Sequence, residues 1–433
     1  MRLLYTIYVI LTGILFLFLL PFLLMYVGIT GRYRRHLGER LGWIRPETLR
    51  RLGHGTRIWI HAVSLGEVKV AESIIGALRQ SMPTCSVLVS TMTEHGRALA
   101  DERFGENIPV VYAPVDFIAC FRIALGRVRP DVMVFLETEI WPAWLSEARR
   151  LGIPTVLING RISVRSIGGY RRLRPFFREV LQNVNAFSMI SQEDAARIRS
   201  IGAPPHRIEV NGNAKYDILA QAPDPRLETE IREILALDVS DRVVVAGSTR
   251  QGEEEIILNA YTRVLEAFPK TILVIVPRHI DRTGDIARLV ERRGLPFQLR
   301  TEIGDGRVRT EKVVIINTFG ELFKIYSVAT IVFCGASLAP LGGQNPLEPA
   351  VWGKPVLYGP SMEDFLDAKD LLESSRASIP VSTPEELGEK ILWLLGHPEE
   401  ARGYGERARE AVLRNRGSAS KHAQVIAGLA EKP

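Results

Sequence analysis

Apolar residues along this chain fall into short β-branched runs separated by stretches with helical spacing. Ile58, Ile60 and Ala62 alternate as in a half-buried strand. The chain then breaks at Ser64-Leu65-Gly66-Glu67 and resumes with Val68, Ala71, Ile74, Ile75 and Leu78 along one helical face. The same reading predicts strands over 57–62, 86–90, 109–112, 131–136, 154–158, 186–190 and 207–210, each followed by a helical pattern or a turn. After a linker-like AQAPDPRLE at 220–228 the alternation restarts, with strands over 242–247, 271–276, 312–317, 330–335 and 355–359. Strand–helix alternation builds βαβ units and parallel sheets, which collect ligands at the carboxyl ends of their strands. The expectation is therefore an α/β protein with two doubly wound domains facing a cleft, residues 31–220 and 221–433, the last helix free to pack back on the first. A length of 433 residues is too great for one ordinary core and agrees with two.

The first 30 residues break the pattern. From Leu3 to Ile29 there is no charge, a run long enough to cross a bilayer core of about 30 Å. Only Arg2 precedes it and no A-x-A site follows, which argues against a cleaved signal peptide. Arg32, Arg34, Arg35 and Arg40 come next, so the positive-inside rule puts the remainder on the cytoplasmic side. Residues 1–30 are thus read as a single-pass inner-membrane anchor lying outside both cores, with Pro21 leaving room for a kink or a shallow, interfacial course.

Charge adds little to this. The chain carries a formal +6, which suits an anionic membrane surface or an anionic substrate, and no feature calls for nucleic acid. Cys85, Cys120 and Cys334 are far apart, without CxxC or metal-ligand spacing, and read as buried reduced thiols. No G-x-G-x-x-G follows the first strand of either half, GSTRQG (247–252) lacks the Gly-Lys-Ser/Thr of a phosphate loop, and HExxH and EF-hand patterns are missing. Dinucleotide enzymes, NTPases and metal enzymes are disfavoured, and neither metal nor cofactor is expected. An activated sugar remains compatible, because helix N-termini can hold its phosphates.

The candidate chemistry sits at strand ends. Ser64-x-x-Glu67 is a capping box, but Glu67 also stands at the carboxyl edge of the first strand. FLETEIWP (135–142) places Glu137 and Glu139 on one face of an extended chain, as surface carboxylates or as a pair with Arg161 of NGRIS nearby. In the second half Ser248, Thr249 and Arg250 form an anion cradle, Pro277 and Arg278 of PRH end the next strand, and Glu253 to Glu255 read as a solvated first turn. Gly342 and Gly343 lead to Asn345 as N-cap, Pro346 at N1 and Glu348 at N3. Glu348 is either a helix cap or a carboxylate for ribose hydroxyls. Arg165, Arg171, Arg172, Arg174 and Arg178 form a basic stretch suited to anionic lipid or to a solvated surface.

Seven motifs in order, HAVSLGE (61–67), ETEIWP (137–142), NGRIS (159–163), NGNAKYD (211–217), GSTRQGEEE (247–255), PRH (277–279) and GGQNPLEPA (342–350), resemble the 3-deoxy-D-manno-octulosonic acid (Kdo) transferases of lipopolysaccharide assembly. The resemblance implies a GT-B fold, CMP-Kdo as donor, a lipid A precursor (lipid IVA) as acceptor, and no required metal. It also implies Glu67 as the base and Glu348 as a donor contact. Ser248, Thr249, Arg250, Pro277, Arg278, Gly342, Gly343 and Asn345 would complete the donor side, and Ser64, Gly66, Glu137, Glu139 and Arg161 the acceptor side. The chain departs from the family at Gln344 and Arg250, where histidine is usual, and at Ile280, where proline is usual. The competing readings are another membrane-associated GT-B glycosyltransferase using a UDP-sugar, and a non-catalytic membrane-anchored binding protein.

Overall fold

The computed structural model describes residues 3–31, 36–105, 107–304 and 307–431, so Arg2, Arg32, Arg34 and Arg35 of the charge argument lie outside it. The chain divides into two units. The first holds residues up to Ile218 together with those from Arg416 onward, and the second runs from Leu219 to Asn415.

The first unit is built on β1 (Arg57–His61), β2 (Ser86–Thr91), β3 (Val110–Tyr112), β4 (Val132–Leu136), β5 (Thr155–Gly160), β6 (Ala186–Met189) and β7 (Ile208–Val210). They form one parallel sheet in the order β3-β2-β1-β4-β5-β6-β7. Alternate residues serve opposite layers. Ile58 and Ile60 pack with Val68, Ala71, Ile74 and Leu78 of the helix Leu65–Ser81. Trp59 points the other way, to Phe121, Phe135 and Trp144. A parallel sheet covered on both faces needs apolar residues at nearly every position, which is why these strands read as continuous runs.

The second unit repeats the plan with β8 (Val243–Thr249), β9 (Ile272–Pro277), β10 (Phe297–Leu299), β11 (Val313–Ile315), β12 (Ile331–Cys334), β13 (Val356–Tyr358) and β14 (Ser378–Pro380), in the order β10-β11-β9-β8-β12-β13-β14. Strands β10 and β14 are absent from the sequence expectation. Each is three residues long, lies at a sheet edge and has one strand neighbour, so a continuous apolar run is not required of it.

The last helix, Ser418–Ala430, closes the first unit. Ala419, Ala423 and Ile426 enter the core layer beneath the helix Leu65–Ser81. Asp217 accepts the Gly417 and Ala419 amides at 2.6 and 2.9 Å. His422 is fully buried, between the Ser188 hydroxyl at 2.7 Å and the Gly212 carbonyl at 3.0 Å. Burial drives its pKa down to about 4, so the ring is neutral, donating to Gly212 and accepting from Ser188.

The N-terminal apolar stretch forms a single helix, α1 (Leu3–Thr30), with Pro21 inside it. Among the described residues it is the one helix long and apolar enough to cross a membrane. It lies outside the core clusters but does not stand clear of the globular part. The Tyr8 hydroxyl donates to Asp116 at 2.6 Å, Tyr8 packs on Phe176, and Phe16 stacks on Phe117 at 4.4 Å. The expected position outside both cores agrees with the core clusters, although the helix also rests on the first unit. Aromatic residues on one face of α1 find partners on the first unit, while Ile10, Leu11, Ile14, Leu15 and Phe18 stay exposed. A chain beginning at Thr30 should therefore keep cooperative unfolding but expose Phe117 and Phe176 and self-associate without detergent. Light scattering with and without detergent checks this, and loss of the unfolding transition would show that α1 belongs to the core.

Candidate active site

In each unit the chain builds one side of the sheet from its first strand and then crosses to build the other, so a switch point lies between β1 and β4 in the first and between β8 and β12 in the second. Crevices at such points are where open α/β sheets bind ligands. Ser64, Gly66, Glu67, Glu137, Glu139, Arg250 and the 342–348 segment follow these four strands and Ser248 and Thr249 end β8, whereas Pro277 and Arg278 stand at the end of β9 and Arg161 after β5. Moreover Glu137, Ser248 and Ala336, just past β4, within β8 and just past β12, take left-handed backbone (φ +52°, +55° and +57°), as does Asn159 near the end of β5 (φ +53°). Each costs a residue with a Cβ roughly 1–2 kcal/mol, and such strain clusters at functional sites.

In the first unit Ser64 caps the helix Leu65–Ser81, and its hydroxyl donates to Glu67 Oε1 at 3.0 Å. The other carboxylate oxygen accepts the Val63 amide at 2.8 Å, one residue before the N-cap where a capping box would use Ser64 itself. Glu67 is thus a cap, but a perturbed one. It is 7% exposed, and burial, reinforced by Glu139 and Glu137, raises its pKa to about 7 against the opposing Val63 and Ser64 bonds. A carboxyl titrating there can both take and hold a proton near neutrality. Gly66 has helical backbone and room for a Cβ, whose nearest neighbour would be the Ser64 hydroxyl at 3.9 Å, so the fold itself does not demand glycine there.

Glu137 and Glu139 are not free surface carboxylates. Lys215 Nζ is 2.6 Å from Glu137 Oε1, while Arg161, the cation expected from the sequence, reaches only 4.0 Å. Lys215 was missed, although it lies inside the NGNAKYD motif. Seventy-eight residues separate it from Glu137, and only the tertiary fold joins them. Glu139 accepts the Trp141 indole N–H at 2.5 Å, and burial raises its pKa. His61 stacks edge-on against Trp141 and pairs with Ser90 at 3.0 Å. Burial lowers its pKa to about 3, so it is neutral packing for the tryptophan that holds Glu139.

In the second unit Glu253 overturns the solvated-turn expectation. It is 1% exposed and its carboxylate accepts four backbone amides, Arg250 at 3.0 Å, Ala336 at 2.6 Å, Ser337 at 2.9 Å and Leu338 at 3.0 Å. One side chain thereby ties the turn after β8 to the loop after β12. Glu254 is equally buried, paired with Arg282 at 2.7 Å. Ser248 and Thr249 are buried at the end of β8, and the Thr249 hydroxyl has no hydrogen-bond partner among the described residues. The Arg250 guanidinium donates to His279 Nε2 at 2.5 Å, the Arg278 amide donates to the Thr249 carbonyl at 3.1 Å, and Pro277 ends β9. The exposed Arg278 side chain and Arg250 therefore stand at one sheet edge.

Beyond β12 the chain turns through Gly342 (φ +87°) and Gly343 (φ +77°), where a Cβ would meet Asp364 or Met362 at 2.4 Å. Glycine is required there by the fold. The helix that follows is Leu347–Val351, starting one residue later than expected, so Pro346 is the cap and Glu348 is not at N3. Asn345 still accepts the Leu347 amide at 3.2 Å, and its amide nitrogen is 3.4 Å from Glu348 Oε1. Glu348 also lies near Cys334, whose thiol burial pushes up, with the glutamate adding to the shift. Among the described residues no group of three or more His, Cys, Asp or Glu is placed to hold a metal ion.

Two parallel-sheet units with polar residues gathered at their switch points define a GT-B glycosyltransferase fold. UDP-GlcNAc 2-epimerase from Neisseria meningitidis matches over 86% of this chain and 99% of its own, with a TM-score of 0.61 at 15% identity, a likeness of fold. The family model for 3-deoxy-D-manno-octulosonic-acid transferase (kdotransferase) matches residues 35–218. A Haemophilus influenzae 3-deoxy-D-manno-octulosonic acid transferase is 28% identical over 418 residues, covering 95% of this chain and 96% of that protein. A probable mitochondrial one from Arabidopsis thaliana is 30% identical over 388 residues, covering 87% and 86%. The chain belongs to the Kdo transferase family.

Two outcomes follow from the geometry. A carboxyl whose folded pKa lies above its ordinary value of 4.5 contributes stability that is complete below that value and is lost as pH rises to about 7. Between pH 5 and pH 8, Glu67→Gln should therefore gain stability relative to wild type, as urea unfolding at both pH values will show. An unchanged difference would mean that Glu67 titrates normally. Glu253→Ala strands two buried amides, those of Ala336 and Ser337, and two part-buried ones, and a buried amide left unpaired costs about 1–3 kcal/mol, so it should lower the unfolding free energy of the second unit by several kcal/mol. Denaturant titration measures this.

Proposed function

We propose that the chain transfers Kdo from CMP-Kdo to a lipid A precursor (lipid IVA) with inversion, by a single displacement. Glu67 takes the proton of the attacking sugar hydroxyl as the new glycosidic bond forms, and CMP leaves with the electron pair of the broken bond. The observation that carries this is Glu67 itself: buried beside a switch point, fixed by Val63 and Ser64, and brought to about 7. A positioned base of this kind is worth ~10²–10⁴ in rate.

The remaining roles follow from charge and place. Arg250 and Arg278 supply cations for the departing phosphate, and the backbone of the Gly342–Gly343 turn can approach it closely. Glu348, oriented by Asn345, accepts hydrogen bonds from the donor nucleotide, while Ser248 and Thr249 line the same edge. Glu137 and Glu139, held by Lys215 and Trp141, accept hydrogen bonds from acceptor hydroxyls beside Ser64, Gly66 and Arg161. The protein works at the cytoplasmic face of the inner membrane, with α1 lying in the interface along the first unit, its exposed Ile10, Leu11, Ile14, Leu15 and Phe18 toward the acyl chains, and the basic stretch from Arg165 to Arg178 toward anionic lipid.

Mass analysis of lipid IVA incubated with CMP-Kdo should show added Kdo, inhibited by CMP and not by UDP. Inhibition by UDP alone would transfer the reading to a UDP-sugar enzyme. Glu67→Gln keeps the shape of the cap and should cut turnover by roughly 10²-fold or more with CMP-Kdo binding retained. Near-normal transfer would reduce Glu67 to a cap. Glu348→Ala should raise the CMP-Kdo concentration needed or abolish turnover, and undiminished CMP affinity would restrict Glu348 to its helix. Full function after loss of Glu67, Arg250 and Glu348 together would indicate a non-catalytic protein.

A further inference from the structure

The first unit contains a cavity of about 290 Å³ that the transfer chemistry does not use. It lies between the first turns of α1, the helix Pro142–Arg150 and the helix Arg174–Leu181, and its lining includes Tyr5, Ser146, Arg149, Arg150, Glu179 and Gln182. We propose that this cavity binds the headgroup of a membrane phospholipid carrying both a phosphate and a primary ammonium, a phosphoethanolamine headgroup.

Four observations converge on that chemistry. Arg149 gives one guanidinium N–H to the Gln182 carbonyl and Arg150 gives one to Glu147 at 2.9 Å, which leaves further donors on both for a phosphate. Guanidinium groups are suited to phosphate because several N–H donors share one plane. Glu179 lines the same cavity, and its buried Oε2 has no hydrogen-bond partner among the described residues. A buried carboxylate oxygen left without a donor is costly, and an ammonium supplies charge and N–H groups together. Tyr5 is 6% exposed, and its hydroxyl, directed toward Ser146, completes no hydrogen bond of normal geometry, so it too is available to a phosphate oxygen.

The fourth observation is position. Tyr5 belongs to α1, whose neighbouring residues Ile7, Ile10, Leu11 and Ile14 are exposed apolar side chains. Acyl chains lying along them bring a headgroup to the mouth of the cavity. The helix Pro142–Arg150 begins just after Glu139 and Trp141, so Arg149 lies about 10 Å further along its axis from Pro142, at 1.5 Å per residue. The headgroup site is therefore separate from the carboxylates at the strand ends.

The test uses the full-length protein in detergent, with phosphatidylethanolamine, phosphatidylglycerol and phosphatidylcholine offered one at a time and retained lipid read by native mass spectrometry. Phosphatidylethanolamine should be kept in preference to both others. The double variant Arg149→Ala, Arg150→Ala should weaken its retention roughly tenfold or more, the scale of lost charge-assisted hydrogen bonds. Glu179→Gln, nearly isosteric, should bring phosphatidylethanolamine down to the level of phosphatidylcholine, whose quaternary nitrogen has no N–H. If the arginine variant fails to unfold cooperatively, Glu179→Gln alone decides. Equal retention of the three lipids by wild type, a preference for phosphatidylglycerol, or a preference untouched by Glu179→Gln overturns the proposal. Kdo transfer to a detergent-dissolved acceptor should be unchanged in these variants, so this result is independent of the proposed donor and base.

Discussion

Buried carboxylates that must find backbone amides organise both units. Each unit begins its sheet with a strand that turns directly into a helix, and each turn carries a glutamate whose charge the core cannot tolerate alone. In the second unit Glu253 meets that demand fully, with four amides from the turn after β8 and the loop after β12. In the first unit Glu67 has only Val63 and Ser64, with Glu137 and Glu139 close enough to raise its pKa. The same local device is a structural clamp in one unit and a carboxyl brought to about 7 in the other. The difference is how many donors surround the carboxylate and what charge lies beside it.

The clamp has consequences for the backbone. Holding Ala336, Ser337 and Leu338 to Glu253 accompanies the left-handed geometry at Ala336, and the Ser248 turn lies beside it. In the first unit Asn159, also left-handed, accepts the Ala214 amide at 2.9 Å, which fixes the NGNAKYD segment. That segment then performs two tasks from one short helix, Lys215–Gln221: Lys215 neutralises Glu137, and Asp217 receives the start of the last helix. Strain at the strand ends is therefore balanced by hydrogen bonds that also assemble the site.

The N-terminal helix is a candidate membrane anchor, and it rests on the unit that carries this chemistry. Its outward residues have the composition of a bilayer segment, yet Tyr8 and Phe16 are seated on the first unit through Asp116 and Phe117. Asp116 also accepts the Ala143 amide at 3.1 Å, at the start of the helix that follows Glu139. Burial raises its pKa, and the Tyr8 hydrogen bond opposes that rise. A single aspartate thus links the apolar helix to the element that begins at Trp141 and carries Arg149 and Arg150.

Much of this was legible in the residues themselves. Two-domain α/β architecture followed from strand runs of the right length and spacing, because parallel sheets covered on both faces require them. The placement of Ser64, Glu67, Ser248, Arg250 and the Gly342–Gly343 turn at strand ends followed from the same periodicity. Two edge strands escaped, since β10 and β14 are three residues long and too short to show a pattern. What the sequence could not decide was which charges meet. Lys215 reaches Glu137 across 78 residues and Glu253 reaches Ala336 across 83. A carboxylate in a helix's first turn looks the same in sequence whether it faces water, four amides or two other acids. Its protonation depends on burial and on neighbours brought from distant segments, and only the tertiary fold supplies those.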